Sequence, residues 1–396
     1  MRIIGPGKYG LINFASAFVA YFTLLVNYGF DLSATREIAS FRGDKAKINE
    51  IFNSVLFAKI NLLAVATVVF LACLFLVDKI RGEQVLFIFT FLGLLGSTVF
   101  PTWYFQGIEK LAATAVFNFI VRLVFTLSVF IFIKRADDYT VYALIVSVGA
   151  MVGGFSALIY ALKRFGLNIR LPRRSEIKGE YKKGWVLFTS TVVINFYTTS
   201  NTVILGFFAD SVNVGFYSAA MKLVAVVQGL VAMPLNLSLF PHIAAAFMES
   251  KDNGVRNLKK AVVATGGLTL AASLVTFFAS GIVIKVIFGK SFLPAIATLR
   301  ILAFVPFIIG LSNVFGVQGL LNLHQDRAFF WITGVGAGLS IALNLVLTPR
   351  LLENGTALSW LLTEVFITAA CYLVLVKQGV SIIDIRYVRD LLSRKV

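Results

Sequence analysis

Long apolar runs separated by short polar stretches recur from the first residues almost to the last. Eleven can be delimited: 9–31, 53–77, 84–106, 112–133, 140–162, 184–209, 213–240, 259–284, 296–322, 328–348 and 353–377. Each approaches or exceeds the ~20 residues a helix needs to cross a hydrocarbon core of about 30 Å. They do not alternate apolar with polar residues as barrel strands do. Lipid offers the backbone no hydrogen-bond partner, so each run is predicted to satisfy itself as a helix.

Composition sharpens this into an all-α integral membrane protein. Of 396 residues, 58% are hydrophobic and 14% charged. A soluble domain keeps about a quarter of its residues charged. Mean hydropathy is +0.87. The net charge of +17 would suit a nucleic-acid binder, but the basic residues sit between apolar runs, where they set membrane orientation. Taking alternate loops, and counting Lys259, Lys260 and Lys377 at the very ends of spans with the loops they adjoin, one face collects 23 Lys and Arg and the other 9, while Lys59, Arg122, Lys222 and Arg300 lie further inside spans. That asymmetry puts the C-terminus in the cytoplasm. Eleven spans then put Arg2 and Lys8 on the far side, which one further helix upstream would reverse. Cys73 and Cys371 lie within apolar runs and read as small buried hydrophobes. The opening "MRIIGPGKYG" lacks the short apolar segment and small-residue site of a cleavable signal.

The two halves resemble each other. "KYGLINFASAF" from Lys8 matches "NVGFYSAAMKL" from Asn213, and "FQGIEKLAATAVFNFI" from Phe105 matches "VQGLLNLHQDRAFFWI" from Val317. An even number of spans separates the repeat starts, so the repeat is parallel, a common transporter plan with the substrate site near the midplane. The run 184–209 precedes the second repeat, so its counterpart in the first would lie before residue 1. The expected organisation is an N-terminal lobe 1–165, a basic cytoplasmic linker 166–183, a C-terminal lobe 184–377 and a cytoplasmic tail 378–396. The stretch 163–183 carries eight Lys or Arg, which suits anionic lipid or a partner protein.

Two segments carry a family resemblance. "IIGPGKYGLINFASAFVAYFTLLVNYGFDLSATREIA", residues 3–39, resembles the second helix of Wzx-type O-antigen flippases with its flanks, and "PTWYFQGIEKL" from Pro101 resembles the segment between their fourth and fifth helices. The similarity runs along nearly the whole chain. The resemblance implies membership of the multidrug/oligosaccharidyl-lipid/polysaccharide (MOP) exporter superfamily and a twelve-helix fold of two six-helix lobes around a central cationic cavity. This sequence lacks the segment corresponding to the first helix. The implied cargo is an undecaprenyl-pyrophosphate-linked oligosaccharide, an O-antigen or related repeat unit, moved from the cytoplasmic to the periplasmic leaflet of a bacterial inner membrane by alternating access. The implied protein partners are a polysaccharide polymerase and chain-length proteins. No cofactor is expected; coupling to a proton or a sodium gradient stays open.

Ionisable groups within spans are costly and so are candidates for function. The best phosphate-binding candidate is Arg122, in the four-residue series Thr114, Asn118, Arg122 and Thr126, with a structural ion pair to Glu364 as the rival reading. Lys59, Lys222 and Arg300 lie nearer span ends and either snorkel to headgroups or line the cavity. Asn13, Ser16, Ala20, Thr23, Asn27 and Asp31 form one stripe, suited to the other lobe, to water or to helix packing. Asn195 and Asn344, each among Ser or Thr neighbours, suit sugar hydroxyls or packing. Asp31, Arg36 and Glu364 are the gating or coupling candidates, with pairing among Asp31, Arg36 and Glu37 at the membrane interface as the rival reading for the first two. The spacings Gly149-to-Gly153 and Gly334-to-Gly338 predict close helix contact, and Pro101, Pro234, Pro241 and Pro306 predict bends or helix ends.

A multidrug or cation-coupled antiporter of the same superfamily is the alternative function, but its cationic cargo would favour acidic groups over the basic ones found here. An enzyme is disfavoured: no DxD, Walker or Ser–His motif occurs, and the two histidines lack metal-ligand spacing.

Overall fold

A computed structural model of the protein describes residues 2–380; within that range the side chains of residues 111, 113, 114, 117, 186, 190, 191, 193–198 and 237 fall outside the description. The chain forms two compact units that divide between Asn195 and Phe196. Among the described residues, eight helical segments are long and apolar enough to cross a bilayer, and Asn118–Phe132 and Thr199–Phe208 are shorter apolar helices.

The first unit contains α1 (Gly5–Asn27), α2 (Phe30–Ser40), α3 (Lys45–Leu76), α4 (Gln84–Val99), α5 (Leu111–Phe132), α6 (Tyr139–Phe165) and the first half of α7 (Arg174–Phe208). Pro6 stands in the first turn of α1, where its missing N–H costs nothing. The break between α1 and α2 is made by two successive residues in left-handed backbone, Tyr28 (φ 44°) and Gly29 (φ 74°). Asp44 starts α3 by accepting from the Lys47 amide at 2.9 Å.

The α1–α2 break is closely packed. Tyr28 stacks on Phe188 at a ring separation of 4.5 Å. Lys183 Nζ donates to Glu37 at 2.7 Å and to Glu180 at 2.8 Å. Burial raises the Glu180 carboxyl above its ordinary range, and Lys183 offsets part of that. A Cβ on Gly29 would stand 2.9 Å from the Leu187 Cβ and 3.0 Å from the Phe188 amide, in a backbone conformation that L-residues rarely adopt. Gly29→Ala is therefore expected to cost about 2 kcal/mol, read as a lowered midpoint in thermal unfolding of the detergent-purified protein.

The segment from Pro101 has a structural reason for its composition. Trp103, Tyr104 and Phe105 are fully buried and form one cluster with Phe30, Ile38 and Phe52. Gly107 meets Ile38, and Arg42 holds the turn from outside, donating to Gly107 O at 2.9 Å and pairing with Glu109 at 2.8 Å. The basic linker is anchored too. Asn53, fully buried, donates to Asn168 O and accepts from the Arg170 amide, both at 2.9 Å, while Asn49 accepts from the Asn168 amide.

The second unit continues with α8 (Ser211–Val227) and α9 (Met233–Glu249), joined by a wide π-helical turn over Gln228–Ala232. It ends with α10 (Lys251–Ile287), α11 (Ala295–Leu302), α12 (Val305–Asn313), a second π-helical stretch over Val314–Leu320, and α13 (Asp326–Lys377). Its core includes Ile243, Leu258, Val314, Phe315, Leu320, Ile367 and Leu375. A straight helix of the 52 residues in α13 would be about 78 Å long, far beyond a bilayer. The chain instead reverses at Leu352 (φ 52°), where Gly355 packs directly on the Leu347 carbonyl.

One packing expectation divides. Gly149 meets the Phe125 ring and Gly153 meets Val121, so the first GxxxG pair seats α5 on α6. At Gly334 and Gly338 nothing lies within 4 Å; Gly336 between them makes the close contact, with Ile367. Spacing identifies a narrow face but not which register turns towards a neighbour.

Candidate functional site

Two cavities open side by side in the first unit. One, of about 770 Å³, has Lys59 on one wall and Arg122, Asn118 and Thr126 of α5 on another, with apolar side chains such as Phe125, Val129 and Phe130 between. The other, of about 620 Å³, is lined by Ser16, Ala20, Thr23 and Asn27 of α1, by Thr90, Gly93 and Ser97 of α4, and by Tyr142 and Ser147 of α6. Asn27, Asp31, Ser97 and Tyr142 line both, so the two adjoin across a polar boundary as one chamber with mostly apolar walls and unlike ends.

Lys59 is only 2% exposed, which removes the snorkelling reading for that residue. Its ammonium donates to the Ser97 carbonyl at a long 3.4 Å. Asp31 lines the same cavity, but no ion pair between the two forms among the described residues. Asp31 offsets the Lys59 charge in part, but a buried ammonium without a contact ion pair stays expensive unless a ligand supplies one. Arg122 is exposed and reaches the cavity wall, and among the described residues of the first unit it forms no ion pair. An ammonium and a guanidinium thus face one space, which suits a polyanion.

The α1 stripe is where periodicity puts it, and it faces open volume: Ser16, Ala20, Thr23 and Asn27 line a cavity, whereas Asn13 donates to Tyr9 O. The α4 and α6 walls escaped the sequence reading. Thr90, Gly93 and Ser97 recur at helical spacing within an apolar run, the same signal as in α1.

Other candidates lie elsewhere. Arg36 is exposed and forms no ion pair among the described residues; its neighbour Glu37 takes Lys183 instead. In the second unit Lys222 is exposed on α8. Arg300 Nε donates to Ser280 Oγ at 3.2 Å and lies over the Phe277 ring at 5.5 Å. Glu364 is 5% exposed and accepts from the Trp360 indole N–H at 3.2 Å. Asn344, fully buried, donates to Asn201 Oδ1 and to Ser340 O, each at 2.8 Å, and accepts from Thr348 at 3.1 Å. The side chains of Asn195, Thr198 and Thr114, and the tail beyond residue 380, lie outside the described residues.

Bilayer-length apolar helices around a chamber that a buried lysine and an exposed arginine both face define a multi-pass membrane transporter. Residues 1–247 match the family described as "Polysaccharide biosynthesis protein". A protein of Escherichia coli (strain K12) named "Putative O-antigen transporter" is 30% identical over 93% of this chain and 89% of its own length. One of the same name from Shigella dysenteriae is 27% identical over 92% of this chain and 91% of its own. The solved structure of the lipid II flippase MurJ in an inward closed conformation has a TM-score of 0.76 at 14% identity, covering 93% of this chain and 81% of that one; at that identity the likeness is one of fold. The chain belongs to the polysaccharide-biosynthesis family, among the Wzx-type exporters of the MOP superfamily.

Proposed function

We propose that the protein flips an undecaprenyl-pyrophosphate-linked oligosaccharide, an O-antigen or related repeat unit, from the cytoplasmic to the periplasmic leaflet of a bacterial inner membrane. The observation that carries this reading is the pairing of Lys59 and Arg122 across one cavity, with Lys59 buried. A pyrophosphate brings the negative charge these groups lack, and the apolar side chains beside Arg122 suit the first units of a polyprenyl chain. The names of the two relatives support a polysaccharide cargo. The loop charges favour a cytoplasmic C-terminus. Coupling to a proton or a sodium gradient belongs to this proposal, with Asp31, Arg36 and Glu364 as its coupling or gating candidates. The polysaccharide polymerase and chain-length proteins would receive the product.

Deleting the gene should leave lipid-linked repeat units accumulating on the cytoplasmic leaflet, and the intact chain should clear them. Arg122→Ala should lower surface polysaccharide about tenfold with the protein still in the membrane, the loss expected for one charge-assisted contact. A deletion strain with normal surface polysaccharide and altered drug susceptibility would favour the multidrug antiporter instead.

A further inference from the structure

The two ends of the chamber differ in chemistry, and the neutral end has a function of its own. Three of the hydroxyls found only there spend their protons within their own helices. Ser16 donates to Ile12 O at 2.7 Å, Thr23 to Val19 O at 3.2 Å and Thr90 to Leu86 O at 2.8 Å. Ser97, at the boundary, donates to Leu94 O at 3.0 Å. A hydroxyl has one proton and two acceptor lone pairs. With the proton committed to the backbone, these groups offer a ligand acceptors only. Among the described residues of this lining Asp31 is the one carboxylate and no Lys, Arg or His occurs; Asp31 repels phosphate and accepts from hydroxyls, Asn27 and Tyr142 at the boundary can also donate, and Lys59 and Arg122 line the other end.

Such a compartment selects a neutral ligand rich in O–H and N–H donors with apolar faces to set against Ile12, Val19 and Leu24. Carbohydrate has that chemistry; pyrophosphate, an acceptor-only anion, does not. From this juxtaposition we infer that the compartment bounded by Ser16, Thr23 and Thr90 is a carbohydrate subsite that grips the sugar nearest the pyrophosphate, while the phosphates remain at the Lys59 end. The inference rests on the flippase reading and deepens it: sugar selectivity comes from hydrogen-bond acceptors on α1 and α4, and affinity common to all cargoes comes from the cations.

The test uses the full chain in phospholipid nanodiscs, titrated by native mass spectrometry with two probes: undecaprenyl pyrophosphate, and the same lipid carrying one N-acetylglucosamine. Wild-type protein should bind the sugar-bearing lipid more tightly. The double variant Thr23→Val with Thr90→Val keeps side-chain shape and removes two acceptors. It should weaken the sugar-bearing lipid about tenfold and change the bare lipid by less than about twofold. Ser16→Ala and the space-filling Ala20→Leu should act in the same direction, and retained binding of the bare lipid certifies that each variant is folded. Equal affinity of the wild type for both probes, or a double variant that weakens both alike or neither, overturns the subsite and leaves the flippase reading standing. A wild-type protein that binds neither probe removes the flippase reading and the subsite with it.

Discussion

Lys59→Met should reduce surface polysaccharide roughly 10- to 100-fold while the protein accumulates normally and unfolds at the same or a higher temperature. The two effects have opposite signs because the ammonium is poorly served by the protein alone. It is 2% exposed, its hydrogen bond to Ser97 O is long, and it has no ion-pair partner among the described residues. Removing a buried charge that Asp31 offsets only in part, without ion-pair contact, and keeping the apolar stem relieves desolvation, so stability should not fall. For transport the same change deletes a charge-assisted contact to phosphate in a space of low dielectric, where about 1.4–2.8 kcal/mol is a 10- to 100-fold loss. Glycan analysis of a complemented deletion strain reads the first effect; thermal unfolding of purified protein reads the second. A variant that loses transport only in proportion to lost protein would make Lys59 a packing residue. Lys59→Arg keeps the charge in a bulkier group and should fall between wild type and Lys59→Met.

How much of this was legible beforehand follows from what a linear pattern encodes. Each of the apolar runs lies mostly on helix, with breaks at Tyr28–Gly29, Phe100–Pro101 and Ala303–Phe304, because a span must satisfy its own backbone whatever its neighbours are. The α1 stripe was legible for a related reason: polar residues recurring at helical spacing in an apolar run need somewhere to face, and Thr23 and Asn27 do line a cavity. The matching stripe of α4 was diluted, since Gly93 is not polar and Ser97 falls near the helix end. Register against neighbours was not legible, as Gly334 and Gly338 show. The reversal at Leu352 falls in the gap between the runs 328–348 and 353–377 and so was legible, but its means was not: a left-handed leucine does the work that sequence rules assign to Gly or Asn. Ion pairing between distant segments was equally hidden: Glu37 takes Lys183, 146 residues away, instead of Arg36 beside it. The polar residues that pin the linker, Asn49 and Asn53, sit in a stretch that reads as ordinary helix.

Gly154→Leu should remove folded protein from the membrane altogether. The contact between α4 and α6 is backbone on backbone: a Cβ on Gly154 would lie 2.0 Å from the Gly96 carbonyl oxygen, and one on Gly96 would lie 2.2 Å from the Ala150 carbonyl oxygen. Neither obstacle is a side chain that can rotate away, so any larger residue must push the helices apart. Between lipid-facing helices association rests on close van der Waals packing, so separating them forfeits most of the attraction. The chamber would be lost with it, because α4 and α6 supply Ser97, Tyr142 and Ser147 to its walls. The cost expected is roughly 3–5 kcal/mol, comparable with the whole margin of many domains. Immunoblots of membrane fractions and limited proteolysis should show little intact protein, and Gly96→Leu should behave alike. Gly82→Ala is the control: nothing lies within 4 Å of its Cβ position and its φ is −67°, so abundance should be unchanged. Lys59→Met and Gly154→Leu then separate on one pair of axes. The first keeps the protein and loses transport, the second loses both together, and a Gly154→Leu protein that is abundant and active would refute the helix contact on which the chamber is built.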